Sequence, residues 1–241
     1  MVAQFFVDSA GSDNSITITG KDFYHLTTVR RASLGDAIQI IDNNGIQYHA
    51  TITQIDDGKI VAIITEKLHY PDIHVQCTLC TALLKGKKFD LVIQKAVEIG
   101  VKQIIPVVTQ HTIPDVSGKE DKKVERWQLI ASEASKQCLR KEVPPVHSVM
   151  PFEDVIKLPK EIGIMAHADP KSINLRKFLK EQIKHNNVML LIGPEGGFSK
   201  KEVEIARQYD WFVLYNGATQ LRAETAAIVL PAIILYEWGY E

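Results

Sequence analysis

Val188-Met189-Leu190-Leu191-Ile192-Gly193-Pro194-Glu195-Gly196-Gly197-Phe198-Ser199 passes from five consecutive apolar residues straight into a glycine-rich bend. An unbroken apolar run of this length, closed by glycine and proline, predicts a strand buried on both faces. Ser199-Lys200-Lys201-Glu202 has the capping-box spacing, so a helix is expected to begin at once. The same grammar repeats downstream. Trp211 to Leu214 predicts a second strand, Tyr215-Asn216-Gly217-Ala218-Thr219-Gln220 a tight segment, and Leu221-Arg222-Ala223-Glu224 the entry to a helix that is apolar almost all round. Two glycine-bearing loops therefore leave two neighbouring buried strands. In open α/β sheets ligands sit outside the carboxyl ends of the strands. Glycine lets backbone approach a ligand closely, and N–H groups at the following helix starts can bind polar edges. No Gly-Lys-Ser/Thr follows the glycines and no G-x-G-x-x-G is present, so neither a phosphate-binding P-loop nor a dinucleotide fingerprint is read here. A strand-to-helix turn with no ligand would produce the same local pattern.

Working outward, residues 71–241 alternate strand and helix, the sign of a mostly parallel sheet with helices on both faces. Strands are predicted at 75–84, 103–108, 146–150, 163–168, 188–192 and 211–214. Helices are predicted at 89–99, 119–140, 173–185, 200–209 and 222–238. Pro231 lies inside the last helix, where it removes one hydrogen bond. A helix apolar on every side needs cover on every side, which one sheet face does not supply, so burial in a homodimer interface is expected. Residues 1–70 look all-β, with short strand candidates separated by turns such as 42–45 and 56–58 and one helical insertion over 22–32. A compact barrel is expected there. Tyr70-Pro71-Asp72 marks the expected boundary between the two domains.

Composition sets bounds. The 241 residues, 45% hydrophobic and 24% charged, fit one large or two modest globular domains. No apolar run approaches the roughly 20 residues of a membrane span. The start, Met1-Val2-Ala3-Gln4-Phe5-Phe6, lacks the basic region and long apolar core of a signal peptide, so a cytoplasmic location is expected. Three cysteines suit a reducing compartment. Cys77 and Cys80 form a C-x-x-C within an apolar strand, where positions three apart face opposite sides, and no second pair exists, so no metal site is expected. Residues 1–70 hold five Lys/Arg against eight Asp/Glu, net −3; residues 71–241 hold 23 against 21, net +2. Any nucleic-acid contact must then come from local cation clusters.

Taken together, Ile192-Gly193-Pro194-Glu195-Gly196-Gly197-Phe198-Ser199 and Leu221-Arg222-Ala223-Glu224-Thr225-Ala226 resemble the bacterial small-subunit (16S) ribosomal RNA uridine-N3 methyltransferase family, of the SPOUT class. Further matches are Lys85-Gly86 with Lys88-Phe89, Gln94-Lys95-Ala96 with Glu98-Ile99-Gly100-Val101, Arg126-Trp127 with Glu133-Ala134 and Gln137, and His25-Leu26 with Val29-Arg30-Arg31 and Gly35-Asp36. The likeness spans essentially the whole chain. One departure is Thr109-Gln110-His111-Thr112, where the family more often carries Glu-Arg in the middle. The resemblance implies a PUA-like RNA-binding domain over 1–70 and a trefoil-knotted SPOUT domain over 71–241. It implies a homodimer that uses S-adenosyl-L-methionine to methylate 16S rRNA of the small ribosomal subunit.

Site expectations follow. Cofactor contacts are expected from Gly193, Pro194, Glu195, Gly196, Gly197, Tyr215, Asn216, Gly217, Leu221, Arg222 and Ala223. His167, at the end of the 163–168 strand, is a third loop candidate, although a lone histidine is more often structural. Arg222 is expected to stabilise charge developing on the uracil oxygens. Glu195 or Glu224 could orient the base or take its proton, and Glu224 could equally serve its helix N-terminus. Lys85, Lys87 and Lys88 form either a phosphate-contact patch or solvated surface. Arg30 and Arg31 either meet RNA or complement a helix C-terminus. The long helix adds Lys119, Lys122, Lys123, Arg126, Lys136, Arg140 and Lys141, with intrahelical pairing to its acidic residues as the competing role. Competing functions are a SPOUT enzyme acting on another RNA or nucleotide atom, a non-catalytic RNA-binding assembly factor, and a nucleotide-binding metabolic enzyme.

Overall fold

The computed structural model describes residues 4–7, 14–42, 46–68, 74–113, 118–169, 172–217 and 219–239. The chain divides into two compact units: residues 1–71 with 135–142, and residues 72–134 with 143–241. The boundary expected at 70–72 lies outside the described residues.

The first unit is a five-stranded sheet of β1 (Gln4–Phe6), β2 (Ser15–Thr19), β3 (Ala37–Ile41), β4 (Gln47–Asp56) and β5 (Lys59–Leu68), in the order β1-β3-β4-β5-β2. All its pairs are antiparallel except β1 with β3. No β1–β2 pairing closes the circle among the described residues. Phe5, Ile16, Ile18, Leu26, Ile38, Ile40, Ile52 and Ile60 form its core. The helix expected over 22–32 is instead a short α1 (Gly20–Tyr24) running into a π turn, His25–Val29. Thr27 Oγ1 donates to the Phe23 carbonyl at 2.9 Å, while Arg30 N–H reaches back five residues to the His25 carbonyl. A hydroxyl that competes for the i−4 carbonyl favours such widening.

The second unit is a seven-stranded parallel sheet, order β10-β12-β9-β11-β6-β7-β8. Its strands are β6 (Gln76–Ala82), β7 (Gln103–Val108), β8 (Met150–Pro151), β9 (Ile162–Ala166), β10 (Ile173–Asn174), β11 (Asn187–Ile192) and β12 (Trp211–Tyr215). Its helices are α2 (Lys88–Ile99), α3 (Glu120–Cys138), α4 (Phe152–Val155), α5 (Leu175–Glu181), α6 (Lys200–Gln208) and α7 (Ala223–Trp238). The apolar run of β11 lies between β9 and β6 with Val188 to Ile192 all buried. Burying such side chains contributes roughly 1.5–3 kcal/mol each. Cys77 and Cys80 are fully buried on opposite faces of β6, and burial pushes the Cys77 thiol up to about 12 and the Cys80 thiol higher still.

Two expectations need correcting. The strand expected at 146–150 is a single bridge, Val146 with Ile104, followed by the two-residue β8. It sits at the sheet edge behind Pro144-Pro145, which have no N–H to donate; the Pro145 carbonyl accepts from Ile104 instead. The helix expected over 173–185 starts at Leu175, because Ile173 and Asn174 pair with Leu214 and Tyr215 and the Asn174 side chain caps α5. It ends at Glu181, where Gln182 is extended. Two cations of α3, for which intrahelical pairing is an alternative, find partners beyond their own helix: Arg126 pairs with Asp90 of α2, and within the first unit Lys136 pairs with Asp22 at 2.7 Å.

Every pair in the second sheet is parallel, so the loops after β6, β7, β9, β11 and β12 leave one edge. Gly100, at φ 112°, ends α2 at the opposite edge and turns the chain into β7.

Candidate functional site

A cavity of about 780 Å³ opens at this edge, where β9, β11 and β12 end. Three turns line it: Ala166 to Ala168, Ile192 to Phe198, and Leu214 to Glu224 as far as it is described. The structure brings together there His167, Gly193, Pro194, Glu195, Gly196, Gly197, Tyr215, Asn216, Gly217, Leu221, Arg222, Ala223 and Glu224. Lys88, the first residue of α2, joins them. Lys85 and Lys87 are exposed residues of the preceding loop and do not line the cavity. Arg30 and Arg31 are exposed residues of the first unit; Arg31 adopts φ 54°. Ala218 lies outside the described residues.

The glycine turn is shaped from below and from the side. A β-carbon at Gly193 would stand 3.0 Å from the Phe198 ring, and one at Gly196 would stand 3.1 Å from the His111 β-carbon. Gly197 adopts φ 68°, and its N–H donates to the Pro194 carbonyl at 2.9 Å. The capping box is formed: Ser199 Oγ accepts from Glu202 N–H, and Glu202 Oε2 accepts from Ser199 N–H at 2.8 Å. The second turn ends on Arg222, the N-cap of α7, whose carbonyl accepts from Ala226 N–H at 2.8 Å while its side chain makes no capping bond. The exposed guanidinium stands at the cavity wall.

Charge converges on Lys88. Its Nζ lies 3.4 Å from Glu195 Oε1 and 3.2 Å from Glu224 Oε1. Lys85 N–H also points to Glu195 Oε1, at 3.4 Å. Backbone N–H donation holds the Glu224 carboxyl below its ordinary range; partial burial opposes this, and Lys88 and Arg222 reinforce it. Glu224 is therefore an anion at neutral pH and a weak base. His167 donates its backbone N–H to Leu214 at 2.9 Å, tying β9 to β12, and burial lowers its side-chain pKa, so the ring is neutral at pH 7.

The lining suits a nucleoside-sized ligand. Ile192, Leu214 and Leu230 offer apolar surface, and the glycine and Arg222 turns offer backbone donors and acceptors. Among the described residues no cluster of three or more His, Cys, Asp or Glu side chains could hold a metal ion. No helix among them is long and apolar enough to cross a membrane. Sequence reasoning missed Thr219, Gln220, Ala226 and Leu230 as lining residues. The last two lie one and two turns into α7, on its cavity side, and helical spacing from Arg222 would have found them.

Comparison with known proteins agrees with this geometry. A family model described as an RNA methyltransferase domain matches residues 71–235, and one described as an RNA methyltransferase PUA domain matches residues 18–65. Ribosomal RNA small subunit methyltransferase E of Bacillus subtilis is 27% identical over 231 residues, covering 92% of this chain and 90% of that protein. The protein of the same name from Buchnera aphidicola subsp. Acyrthosiphon pisum is 30% identical over 221 residues, covering 88% and 84%. A crystal structure of the Neisseria gonorrhoeae protein of that name, bound to S-adenosyl methionine, superposes with a TM-score of 0.85 at 25% identity over 99% of both chains.

Proposed function

The chain belongs to the RNA methyltransferase family, and from that premise we propose that it moves a methyl group from S-adenosylmethionine to N3 of one uridine in small-subunit ribosomal RNA. The observation that carries this reading is the cavity on which the turns after β9, β11 and β12 close. Its size and donor set fit the methyl donor, whose name a close structural neighbour also carries as ligand. The donor supplies an electrophilic methyl carbon on sulfur. Backbone groups of Gly193 to Gly197, Tyr215 to Gly217 and Leu221 to Ala223 hold it, with His167 at the third turn. Their work is alignment, which makes proximity the main lever.

At uracil the N3–H bond breaks and the N3–methyl bond forms as the donor's methyl–sulfur bond breaks, its electron pair staying on sulfur and S-adenosylhomocysteine leaving. Arg222 stabilises the negative charge that develops on O2 and O4. Glu224, already ionised and paired, orients Lys88 and the base. Glu195, the more exposed carboxylate at 28% against 15%, takes the N3 proton in this reading. Lys85, Lys87 and Lys88 meet phosphates beside the cavity, and Arg30 and Arg31 meet RNA from the first unit, read here as a PUA-like domain over 1–70 preceding a SPOUT domain over 71–241.

Three further features belong to this reading. Buried residues of α7 are Ala227, Leu230, Pro231, Ile234, Leu235 and Trp238, while Ile228, Val229, Ala232 and Ile233 are half-exposed and Tyr236 is 77% exposed. That leftover apolar face is the homodimer contact, and Ile233→Asp is expected to give a monomer by light scattering. The last segment packs against α2, β6 and β11, and its path is read, from the family resemblance, as trefoil-knotted. A ribosomal substrate places the protein in the cytoplasm.

Mass spectrometry of rRNA nucleosides tests the function. Deletion is expected to remove N3-methyluridine, and the wild-type chain is expected to restore it. A methyl group lost from another RNA atom would make this a different SPOUT enzyme. Failure of the protein to bind S-adenosylmethionine by calorimetry would leave an RNA-binding assembly factor.

A further inference from the structure

The turn after β7, Thr109 to Ile113, closes on itself. Thr109 N–H donates to Thr112 Oγ1 at 2.9 Å, the two threonine hydroxyls lie 2.9 Å apart, and Thr112 N–H returns to the Thr109 carbonyl at 3.1 Å. Two hydrogen bonds fasten this compact turn, one to the glycine turn and one to the helix that follows it. Gln110 N–H donates to Glu202 Oε1 at 2.8 Å. His111 Nδ1 lies 3.1 Å from the Gly197 carbonyl oxygen. A carbonyl only accepts, so Nδ1 carries the proton. His111 also leaves no room beside Gly196, where a β-carbon would stand 3.1 Å from the His111 β-carbon.

Glu202 joins these pieces. It is a buried carboxylate, 5% exposed, and its two oxygens take different partners. Oε2 accepts from the N–H and the hydroxyl of Ser199, which is all the helix cap requires. Oε1 is left to hold Gln110. A charged acceptor makes such bonds about twice as strong as neutral ones. The contact therefore links the β7 turn to the helix that begins directly after the glycines. None of Gln110, His111 and Glu202 lines the cavity.

We propose that Gln110, His111 and Glu202 form a strap that positions the glycine turn for the methyl donor. The strap holds the backbone of Gly193 to Gly197 in its binding shape before the donor arrives, so less ordering is left for the binding step. The inference rests on the proposed role of that turn as the donor site. The three are positioning residues: they touch the turn, and the turn touches the ligand.

His111 is exposed, so its replacement leaves the core intact. In His111→Ala the Kd and KM for S-adenosylmethionine are expected to rise roughly 3- to 10-fold, the scale of one hydrogen bond, with kcat at saturating donor changed less than about twofold. His111→Asn, whose amide nitrogen can stand where Nδ1 stood, is expected to restore donor affinity. Glu202→Gln is expected to weaken donor binding and lower the melting temperature. Ser199→Ala, which cuts the cap but spares the Gln110 bond, is expected to lower the melting temperature alone. Hydrogen exchange at the Gly197 amide in ligand-free His111→Ala is expected to quicken. Donor constants and exchange that match wild type in His111→Ala overturn the strap and leave the proposed function standing. So does donor binding weakened in Ser199→Ala as much as in Glu202→Gln. Wild-type protein that binds no donor overturns the function on which the strap rests.

Discussion

Two strand–turn–helix units stand side by side on one sheet edge, and they are held in opposite ways. In the first, β11 to α6, the turn is braced throughout: Phe198 below Gly193, His111 beside Gly196, a left-handed Gly197, and a capping box whose Glu202 also grips Gln110. In the second, β12 to α7, the helix starts on Arg222 without a side-chain cap, and Thr219, Gln220 and Arg222 face solvent. On the proposed function the difference separates two tasks. A turn that offers backbone to the methyl donor gains from being fixed beforehand, whereas the turn assigned the charged side chains presents them to an incoming base.

The sharpest way to break this division is Arg222→Ala. Its expected effect is a fall in single-turnover methylation of roughly 100-fold, on the scale of removing one charge-stabilising donor. Donor affinity should change only a few-fold. An unaltered rate would move the reactive centre off the second turn. Next comes Gly196→Val, whose branched side chain would press on His111 from 3.1 Å. Donor Kd is expected to rise at least about 10-fold. Far-ultraviolet circular dichroism should stay unchanged; tight binding would free the first turn of its assigned task.

Smaller effects sharpen the boundary between the two turns. Lys88 contacts carboxylates from both, and Lys88→Met is expected to lower the methylation rate several-fold and to reduce the salt dependence of RNA binding by about one phosphate contact. The same pair has a signature in acid. A carboxyl held below its ordinary value, here 4.5, stabilises the fold above that value, and the contribution is lost as pH falls through the depressed one. Acid titration of stability is thus expected to be shallower below pH 4.5 in Glu224→Gln than in wild type. The smallest effect is Gly197→Ala. Nothing crowds a β-carbon there, but φ 68° costs an alanine about 1 kcal/mol, readable as a shift in the urea midpoint.

Much of this was legible in local patterns. The apolar run of β11, the Ser199–Glu202 spacing and the Gly100 stop each state their structure within a few residues, and the α/β alternation follows from them. What escaped depends on distant partners. Val146 to Met150 looks like a strand, yet it has one neighbour and prolines behind it, so pairing breaks up. Ile173 and Asn174 look helical until β12 offers them an edge. At the site, both loop motifs pointed to the cavity directly. The bond from His111 to Gly197 spans 86 positions and has no local signal at all. Residues 135–142 group with the first unit although they continue the long helix of the second, and periodicity runs on through that change.

The buried thiols of β6 carry a practical corollary. Cys77 and Cys80 are protonated and sealed at the middle of the parallel sheet, while Cys138 lies half-buried on α3. An alkylating reagent acts on thiolate, so the seam stays silent until the strands part. The protein thus carries its own clock for global opening: the rate at which the second and third sulfurs become reactive measures how often the whole sheet comes undone, with no added label and no loss of the surface chemistry that serves RNA.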